Sequence, residues 1–171
     1  MNSNLIKYSD KVDDAQNIVI TGSSGWLSSN FLFHLKKFKS EKKIIIHKVS
    51  SENYKTKFAE ITKEKLNDII FIHNGFMRAE ALKNQESSNI FKNQAKENLD
   101  IVVDFLNSNN IKSMFYPSSG SVYKSRNIDK MLYRDYSEQK LIEENIFIKI
   151  ANTNKFDLLI TRIFSSIGPF M

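Results

Sequence analysis

The sequence contains no cysteine, and only two prolines and five glycines, among its 171 residues. The missing thiols exclude a disulfide scaffold, a thiolate zinc site and a cysteine nucleophile, and they suit a reducing compartment such as the cytoplasm. No apolar run approaches the ~20 residues that a membrane helix needs. No internal repeat, low-complexity tract or Pro/Gly linker divides the chain. We therefore expect one compact cytoplasmic domain without membrane contact.

Charge patterning separates a short leader from this domain. Residues 1–16 are polar and mixed in charge, unlike a signal peptide, and we interpret them as a loose leader before a domain spanning 17–171. The net charge is +6, and a basic balance can indicate nucleic-acid contact. The lysines are spread along the chain in short clusters such as Lys42-Lys43, which favours a solvated basic surface over a nucleic-acid partner.

Apolar strand-like runs alternate with helix-like stretches, which predicts a parallel sheet covered by helices on both faces. The expected architecture is α/β, with three layers (α/β/α) and the doubly wound strand order 3-2-1-4-5-6. Six strands are predicted, the third being the weakest: Asn17–Thr21, Lys43–Val49, Thr56–Ile61, Asp68–Gly75, Ser113–Ser119 and Asp157–Ile163. Helices are predicted at Trp26–Lys39, Thr62–Asn67, around 94–109 and at Tyr133–Thr153.

A glycine turn joins the first predicted strand directly to an amphipathic helix. Residues 21–28 read TGSSGWLS, with Gly22 and Gly25 placed where the backbone must turn sharply. Glycines there let a bulky anion approach, and the following helix presents unpaired N–H groups and its positive dipole end. An ordinary strand-to-helix turn is the alternative, but the position after the first strand favours a pyrophosphate site.

A tyrosine and a lysine lie four residues apart in the last predicted helix. This spacing puts Tyr136 and Lys140 on one helix face. A neighbouring ammonium favours the tyrosinate, so the pair could take a proton from a hydroxyl or give one to a carbonyl. Such a pair occurs often by chance, and Tyr123 and Tyr133 compete with Tyr136, but neither has a lysine four residues later.

Two further segments strengthen that interpretation. Residues 116–123 read YPSSGSVY and follow the fifth predicted strand, at the edge where doubly wound sheets bind their ligands. A flexible loop is the alternative for such a serine-rich run. Residues 161–169 read TRIFSSIGP and follow the sixth strand.

Together these motifs resemble the extended short-chain dehydrogenase/reductase family, which includes nucleotide-sugar epimerases, dehydratases and ketoreductases. The resemblance runs from Ile18 to Pro169, through a T-G-x-x-G-x-x-G turn, an S-S-x-x-V-Y segment, Tyr-x-x-x-Lys and R-x-x-N-x-x-G-P. It implies a Rossmann fold that binds NAD or NADP. It also implies a catalytic triad of Ser119, Tyr136 and Lys140, in which Ser119 contacts the reacting oxygen of the substrate.

The resemblance also implies a set of cofactor-binding residues. Glu60 and Ile61 would lie beside the adenine, and residues 73–76 (HNGF) would run under the cofactor. The full expected set is Gly22, Ser24, Gly25, Trp26, Leu27, His47, Lys48, Glu60, Ile61, Asn74, Gly75, Phe76, Ser118, Tyr136 and Lys140. No metal is expected.

Three departures from the family pattern affect these expectations. Ser28 stands where the third glycine belongs, which predicts a slightly looser helix–strand approach. His47 and Lys48 occupy the expected end of the second strand, where a carboxylate would bind an adenosine ribose; this makes NADP plausible, unless both are merely an exposed strand end. Ser165 replaces an asparagine that helps to seat the substrate, and it remains a candidate substrate contact.

The expected function is an NAD(P)-dependent 4-epimerase or 4-ketoreductase acting on a nucleotide-linked sugar. A dehydratase ranks lower, because Gly120-Ser121 replaces the Asp-Glu that those enzymes carry. The alternative is a non-catalytic cofactor sensor or scaffold, although such relatives generally lose the Tyr–Lys pair.

The chain ends two residues after Pro169, whereas family members continue into a substrate lobe. We therefore expect the chain to be a fragment, a short form or a domain completed by a partner, with dinucleotide affinity and little turnover by itself. A homodimer formed through the helices near 94–109 and 133–153 is also expected.

Overall fold

The computed structural model describes residues 17–37, 44–75, 85–124 and 131–164. They form one parallel sheet of five strands, in the order β2-β1-β3-β4-β5. The strands are β1 (Asn17–Thr21), β2 (Ile45–Val49), β3 (Ile69–His73), β4 (Ile111–Ser119) and β5 (Asp157–Ile163). The helices are α1 (Trp26–Leu35), α2 (Tyr54–Lys63), α3 (Gln85–Ser108) and α4 (Met131–Asn154), and a 3₁₀ helix spans Gly120–Lys124.

Both faces of the sheet are covered, which confirms the three-layer α/β prediction. Alternate residues of the two central strands point to opposite sides, as the pleat requires. Ile18, Ile20, Ile70 and Ile72 form one small core, against which Phe31 and other apolar residues of α1 pack. The larger core on the other face joins the sheet to α2, α3 and α4, through residues such as Val19, Phe71, Phe58, Phe105 and Phe147.

The predicted third strand is wrong, because Thr56–Ile61 lies inside helix α2. Tyr54, Phe58 and Ile61 recur at spacings of four and three, which is a helical period. Phe58 and Ile61 are buried on the resulting face, and the Phe58 ring lies 4.8 Å from that of Phe105. When this segment is removed from the predicted order 3-2-1-4-5-6 and the remaining strands are renumbered, the order becomes β2-β1-β3-β4-β5, as observed.

The order of the strands places a crevice at the carboxyl ends of β1 and β3. These strands pair in register from Asn17↔Ile69 to Thr21↔His73, and the chain then leaves them toward opposite faces. Such a switch point is where doubly wound sheets bind ligands. In the described ranges, no helix is long and apolar enough to cross a membrane.

Candidate functional site

Gly22 makes the turn after β1 possible. Its φ is +60°, a left-handed conformation that strains residues with a side chain. A Cβ at this position would lie 2.5 Å from the backbone oxygen of Asn74, closer than van der Waals contact permits. The turn after β1 therefore packs directly against the residues that follow β3.

Gly25 closes this turn and starts helix α1. Its N–H donates to the Gly22 carbonyl at 2.8 Å, and its own carbonyl accepts from the Ser29 N–H at 2.9 Å. As the N-cap residue, it makes no side-chain cap hydrogen bond. The amino end of α1, whose helix dipole favours an anion, therefore lies at the carboxyl end of β1.

Ser28, in place of the family's third glycine, is fully buried between α1 and the strands. Its hydroxyl donates to the Thr21 carbonyl at 3.3 Å and accepts from Asn74 Nδ2 at 3.0 Å. The serine thus hydrogen-bonds to both sides of the crevice. These contacts account for a polar residue at a position where the family keeps a glycine.

Thr21 and His73 connect the two strand ends. The Thr21 hydroxyl accepts from the Gly75 N–H at 2.9 Å and lies 2.8 Å from His73 Nδ1. Complete burial, together with the positive charge of Lys140, lowers the pKa of His73 to about 3, so the ring is neutral. A Cβ on Gly75 would lie 3.1 Å from the Thr21 hydroxyl. We call residues 21–28 and 73–75 the glycine cradle.

An open cleft of about 440 Å³ lies over the glycine cradle. Five predicted cofactor residues line it: Gly22, Ser24, Gly25, Asn74 and Gly75. The remaining lining residues come from the segment after β2 and from helix α3: Ser51, Tyr54, Gln94, Glu97 and Asn98. The cleft therefore joins the carboxyl ends of β1, β2 and β3.

Tyr136 and Lys140 line a smaller cavity of about 30 Å³ beside this cleft. Gly75 and Asn98 line both cavities, so the two lie side by side at one edge of the sheet. Lys140 is almost fully buried, and its Nζ lies 5.7 Å from the centroid of the Tyr136 ring. The predicted Tyr–Lys pair is thus brought next to the predicted phosphate turn.

The same cavity contains a buried acid that sequence reasoning missed. Glu143 Oε2 lies 3.7 Å from Lys140 Nζ and accepts a hydrogen bond from the Tyr116 hydroxyl. Burial, and then the charge of Glu143, raise the pKa of Tyr116 well above its usual range. We call Tyr116, Tyr136, Lys140 and Glu143 the ion cluster. The spacing of three between Lys140 and Glu143 was the only local signal.

A second buried acid ties α4 to β5. Glu144 accepts two hydrogen bonds from Arg162, from Nε at 3.0 Å and from a terminal nitrogen at 2.6 Å. Burial alone would raise the pKa of Glu144, but the hydrogen bonds and charge of Arg162 outweigh it and lower that pKa. This bidentate pair was also missed, because the two residues come from different elements.

The predicted serines lie at the end of β4. Ser119 is the last residue of the strand, opposite Ile163 of β5, and its Oγ accepts from the Ser121 hydroxyl at 2.9 Å. Ser118 is buried. Neither serine is among the residues lining the two cavities, although β4 ends at the same edge of the sheet as β1 and β3.

His47 and Lys48 are not brought to the cleft. β2 continues to Val49, which pairs with Thr21, while His47 pairs with Val19 in the middle of β1. The His47 ring lies 3.1 Å from the Asn17 side chain, toward the opposite end of the strand, and Lys48 is exposed. The residue of this segment that lines the cleft, in the place expected for His47 and Lys48, is Ser51.

Glu60 and Ile61 also lie away from the cleft, within α2. Glu60 is exposed and pairs with Lys57 at 2.9 Å, and Ile61 belongs to the large core. Trp26 and Leu27, the first residues of α1, belong to the glycine cradle but are not among the residues lining the cleft. Phe76 and Ser165 fall outside the described residues. Within the described residues, no group of three or more His, Asp or Glu side chains could hold a metal.

No family model matches the sequence, and no curated protein matches it. Solved structures do match. A short-chain dehydrogenase/reductase superfamily protein from Agrobacterium tumefaciens with bound NAD is 14% identical, with a TM-score of 0.64 over 85% of this chain and 48% of that one. A UDP-glucuronic acid 4-epimerase from Bacillus cereus in complex with NAD is 15% identical, with a TM-score of 0.63 over 91% of this chain and 58% of that one.

A GDP-D-glycero-L-gluco-heptose synthase from Campylobacter jejuni, crystallised in the presence of NADPH, is 12% identical, with a TM-score of 0.68 over 85% of this chain and 46% of that one. These similarities establish the fold. They confirm the predicted Rossmann-type α/β architecture. The chain spans about half the length of the solved structures that it matches.

Proposed function

We propose that this chain is the NAD(P)-binding domain of an extended short-chain dehydrogenase/reductase that acts on a nucleotide-linked sugar as an epimerase or 4-ketoreductase. One observation carries the proposal. The cavity lined by Tyr136 and Lys140 shares Gly75 and Asn98 with the cleft over the glycine cradle. A dinucleotide lying along that cleft would have its diphosphate over the turn and its nicotinamide near the Tyr–Lys pair.

The residues of the cleft fit such a cofactor. A Cβ at Gly22 would lie 2.5 Å from the Asn74 oxygen, which requires a glycine there, and one at Gly75 would lie in tight contact with Thr21, at 3.1 Å. The start of α1, with Gly25 as its N-cap, offers backbone N–H groups to a diphosphate. The cleft volume of about 440 Å³ lies in the usual range for small-molecule sites.

The predicted triad supplies the proton chemistry. A bound nicotinamide would accept or donate the hydride. The Tyr136 hydroxyl would take the proton from a sugar hydroxyl, or return it to a carbonyl, and the Lys140 ammonium would favour the tyrosinate. Ser119 would donate a hydrogen bond to the reacting oxygen from the end of β4.

The described lining of the cleft favours NAD over NADP. It contains one carboxylate, Glu97, which is ion-paired with Lys55, and no lysine or arginine is among the described residues that line it. The NADP expectation rested on His47 and Lys48, which do not reach the cleft. We therefore expect tighter binding of NADH than of NADPH.

The nucleotide-sugar substrate is proposed from the motifs and from the names of the similar structures, two of which are a UDP-glucuronic acid 4-epimerase and a GDP-heptose synthase. Gly120-Ser121, after Ser119, still ranks a dehydratase below an epimerase or ketoreductase. Because the chain covers only 58% and 46% of these structures, we expect the 171 residues alone to bind dinucleotide with little turnover.

A homodimer is also proposed, through α3 and α4. These helices pack side by side, and Ile90 and Ile142 on them are each 49% exposed. A second helix pair could cover such apolar side chains in a four-helix bundle.

The test is a titration of the chain with NADH and NADPH, followed by nicotinamide fluorescence. We expect saturable binding of NADH, loss of binding in Gly22→Val, and retention in Gly120→Ala. Tyr136→Phe should bind NADH normally yet abolish turnover in any longer form of the protein that is active. No fluorescence response to either nucleotide would refute the proposal.

A further inference from the structure

Glu143 is the only carboxylate among the described residues lining the Tyr136–Lys140 cavity, and no motif assigns it a role. Its carboxylate is held at two points: the Tyr116 hydroxyl donates to Oε2, and Gln139 Nε2 donates to Oε1 at 3.0 Å. The Tyr116 ring that presents this hydroxyl is itself fully buried and stacked on His73. The carboxylate thus has a fixed place one turn after Lys140.

We propose that Glu143 is a positioning residue for Lys140: its anchored carboxylate is the counterion that keeps the buried ammonium charged beside Tyr136. The catalytic meaning of this role rests on the proposed function. The ion pair itself does not, because the 3.7 Å separation of Lys140 Nζ and Glu143 Oε2 is present in the chain without any cofactor or substrate.

Burial makes such a counterion necessary. Removing an ammonium from water strongly favours the neutral amine unless an opposite charge compensates. Burial lowers the pKa of Lys140, Glu143 and then Glu144 act against that effect, and the net result is a pKa of about 7. The Tyr116 ring adds a weaker attraction, with Nζ 5.0 Å from its centroid.

Among the described residues, the other ionisable groups around the amine are neutral or engaged elsewhere. His73 on β3 is neutral, Tyr116 on β4 is protonated, and Tyr136 on α4 is the group to be activated. Glu144 is already bound by Arg162 of β5 through two hydrogen bonds. Helix α3 contributes Phe91, Ala95, Asn98 and Leu99 to the cavity, and none of these titrates.

Without the Glu143 charge, the amine should therefore be neutral at neutral pH. Tyr136 would then lose the positive neighbour that favours its ionised form. Glu143→Gln tests this directly, because the amide keeps the shape of the side chain and can still accept from Tyr116.

The experiment follows the ¹³Cε resonance of Lys140 against pH in protein carrying ¹³C-labelled lysine, without cofactor. The resonance is assigned by its loss in Lys140→Met. We expect Glu143→Gln to lower the titration midpoint by about one pH unit or more. Glu138→Gln is the matched control, because Glu138 lies on the same helix but is exposed; it should leave the midpoint unchanged.

A midpoint that does not move in Glu143→Gln would overturn the inference. If that variant does not fold, Glu143→Asp is measured instead. The aspartate keeps the charge but holds it one methylene farther from the amine, so the midpoint should fall by a smaller amount. NADH titration of the wild type separates the two proposals. If the wild type binds NADH but the Lys140 midpoint does not move in Glu143→Gln, only the counterion role is rejected. If the midpoint moves but the wild type does not bind NADH, the proposed function is rejected and the ion pair is supported.

Discussion

The glycine cradle and the ion cluster lie at the same edge of the sheet but are built on different physical grounds. The cradle depends on close backbone approach, with Gly22 against Asn74 and Gly75 against Thr21, and contains no charged side chain. The ion cluster depends on buried charge, with the Lys140 ammonium 3.7 Å from the Glu143 carboxylate.

This difference predicts two kinds of sensitivity. A binding surface of backbone groups tolerates changes of charge but not of volume, because there is no room for an added atom. A cluster of buried ionised groups tolerates little change of charge, because each member compensates the desolvation of another. A substitution that adds one methyl group should therefore harm the glycine cradle, whereas one that removes a charge should harm the ion cluster.

The largest effect is expected from Gly22→Ala. The new Cβ would lie 2.5 Å from the Asn74 oxygen, on a residue whose φ is +60°. Left-handed strain and overpacking together predict a loss of about 2–5 kcal/mol in the free energy of unfolding, measured by urea denaturation.

Gly120→Ala is the matched control for the added methyl group. Its Cβ would approach the ring of Phe164, a side chain that is 76% exposed and able to swing away. We expect a change below about 0.5 kcal/mol. Equal losses in the two variants would show that the cradle is not specially intolerant of volume.

The next effect is expected from Glu144→Gln, which removes a charge with little change in shape. The amide cannot accept both hydrogen bonds from Arg162, so we expect a loss of about 2 kcal/mol in the free energy of unfolding. Glu138→Gln, on the exposed side of the same helix, should cost less than about 0.5 kcal/mol. Glu144 lies next to the ion cluster, and equal costs of the two substitutions in urea denaturation would show that a buried charge there contributes no more to stability than an exposed one.

The smallest effect is expected from Ser28→Ala. It removes the hydroxyl that bonds the Thr21 carbonyl and the Asn74 side chain, without adding volume. We expect a loss of about 1 kcal/mol in thermal or urea unfolding, with NADH affinity nearly unchanged. A loss of NADH binding in this variant would mean that the cradle depends on polar contacts as well as on space. Ser29→Ala, one residue along the helix, serves as the control.

The cradle and the Tyr–Lys pair could be predicted from the sequence because their signals are local. A glycine turn between strand and helix, or two residues four apart, is visible without knowledge of the fold. Tyr116 and Glu143 are 27 residues apart, and their contact exists only because β4 and α4 pack together. The Arg162–Glu144 pair was hidden for the same reason.

Two errors in the prediction also have physical causes. His47 was expected beside the cofactor, but it pairs with Val19 in the middle of β1, and the residue after β2 that lines the cleft is Ser51, four positions farther along the chain. Thr56–Ile61 was interpreted as a strand because threonine and isoleucine favour strands, although the spacing of Tyr54, Phe58 and Ile61 is helical.

The central claim is that a nicotinamide dinucleotide lies in the cleft with its diphosphate over the glycine cradle. An NMR titration of ¹⁵N-labelled protein with NADH tests it at individual residues. We expect the largest amide shifts at Gly22, Ser24, Gly25 and Gly75, with smaller shifts at Tyr136 and Lys140. Saturable shifts confined to another surface, or none at millimolar NADH, would contradict it.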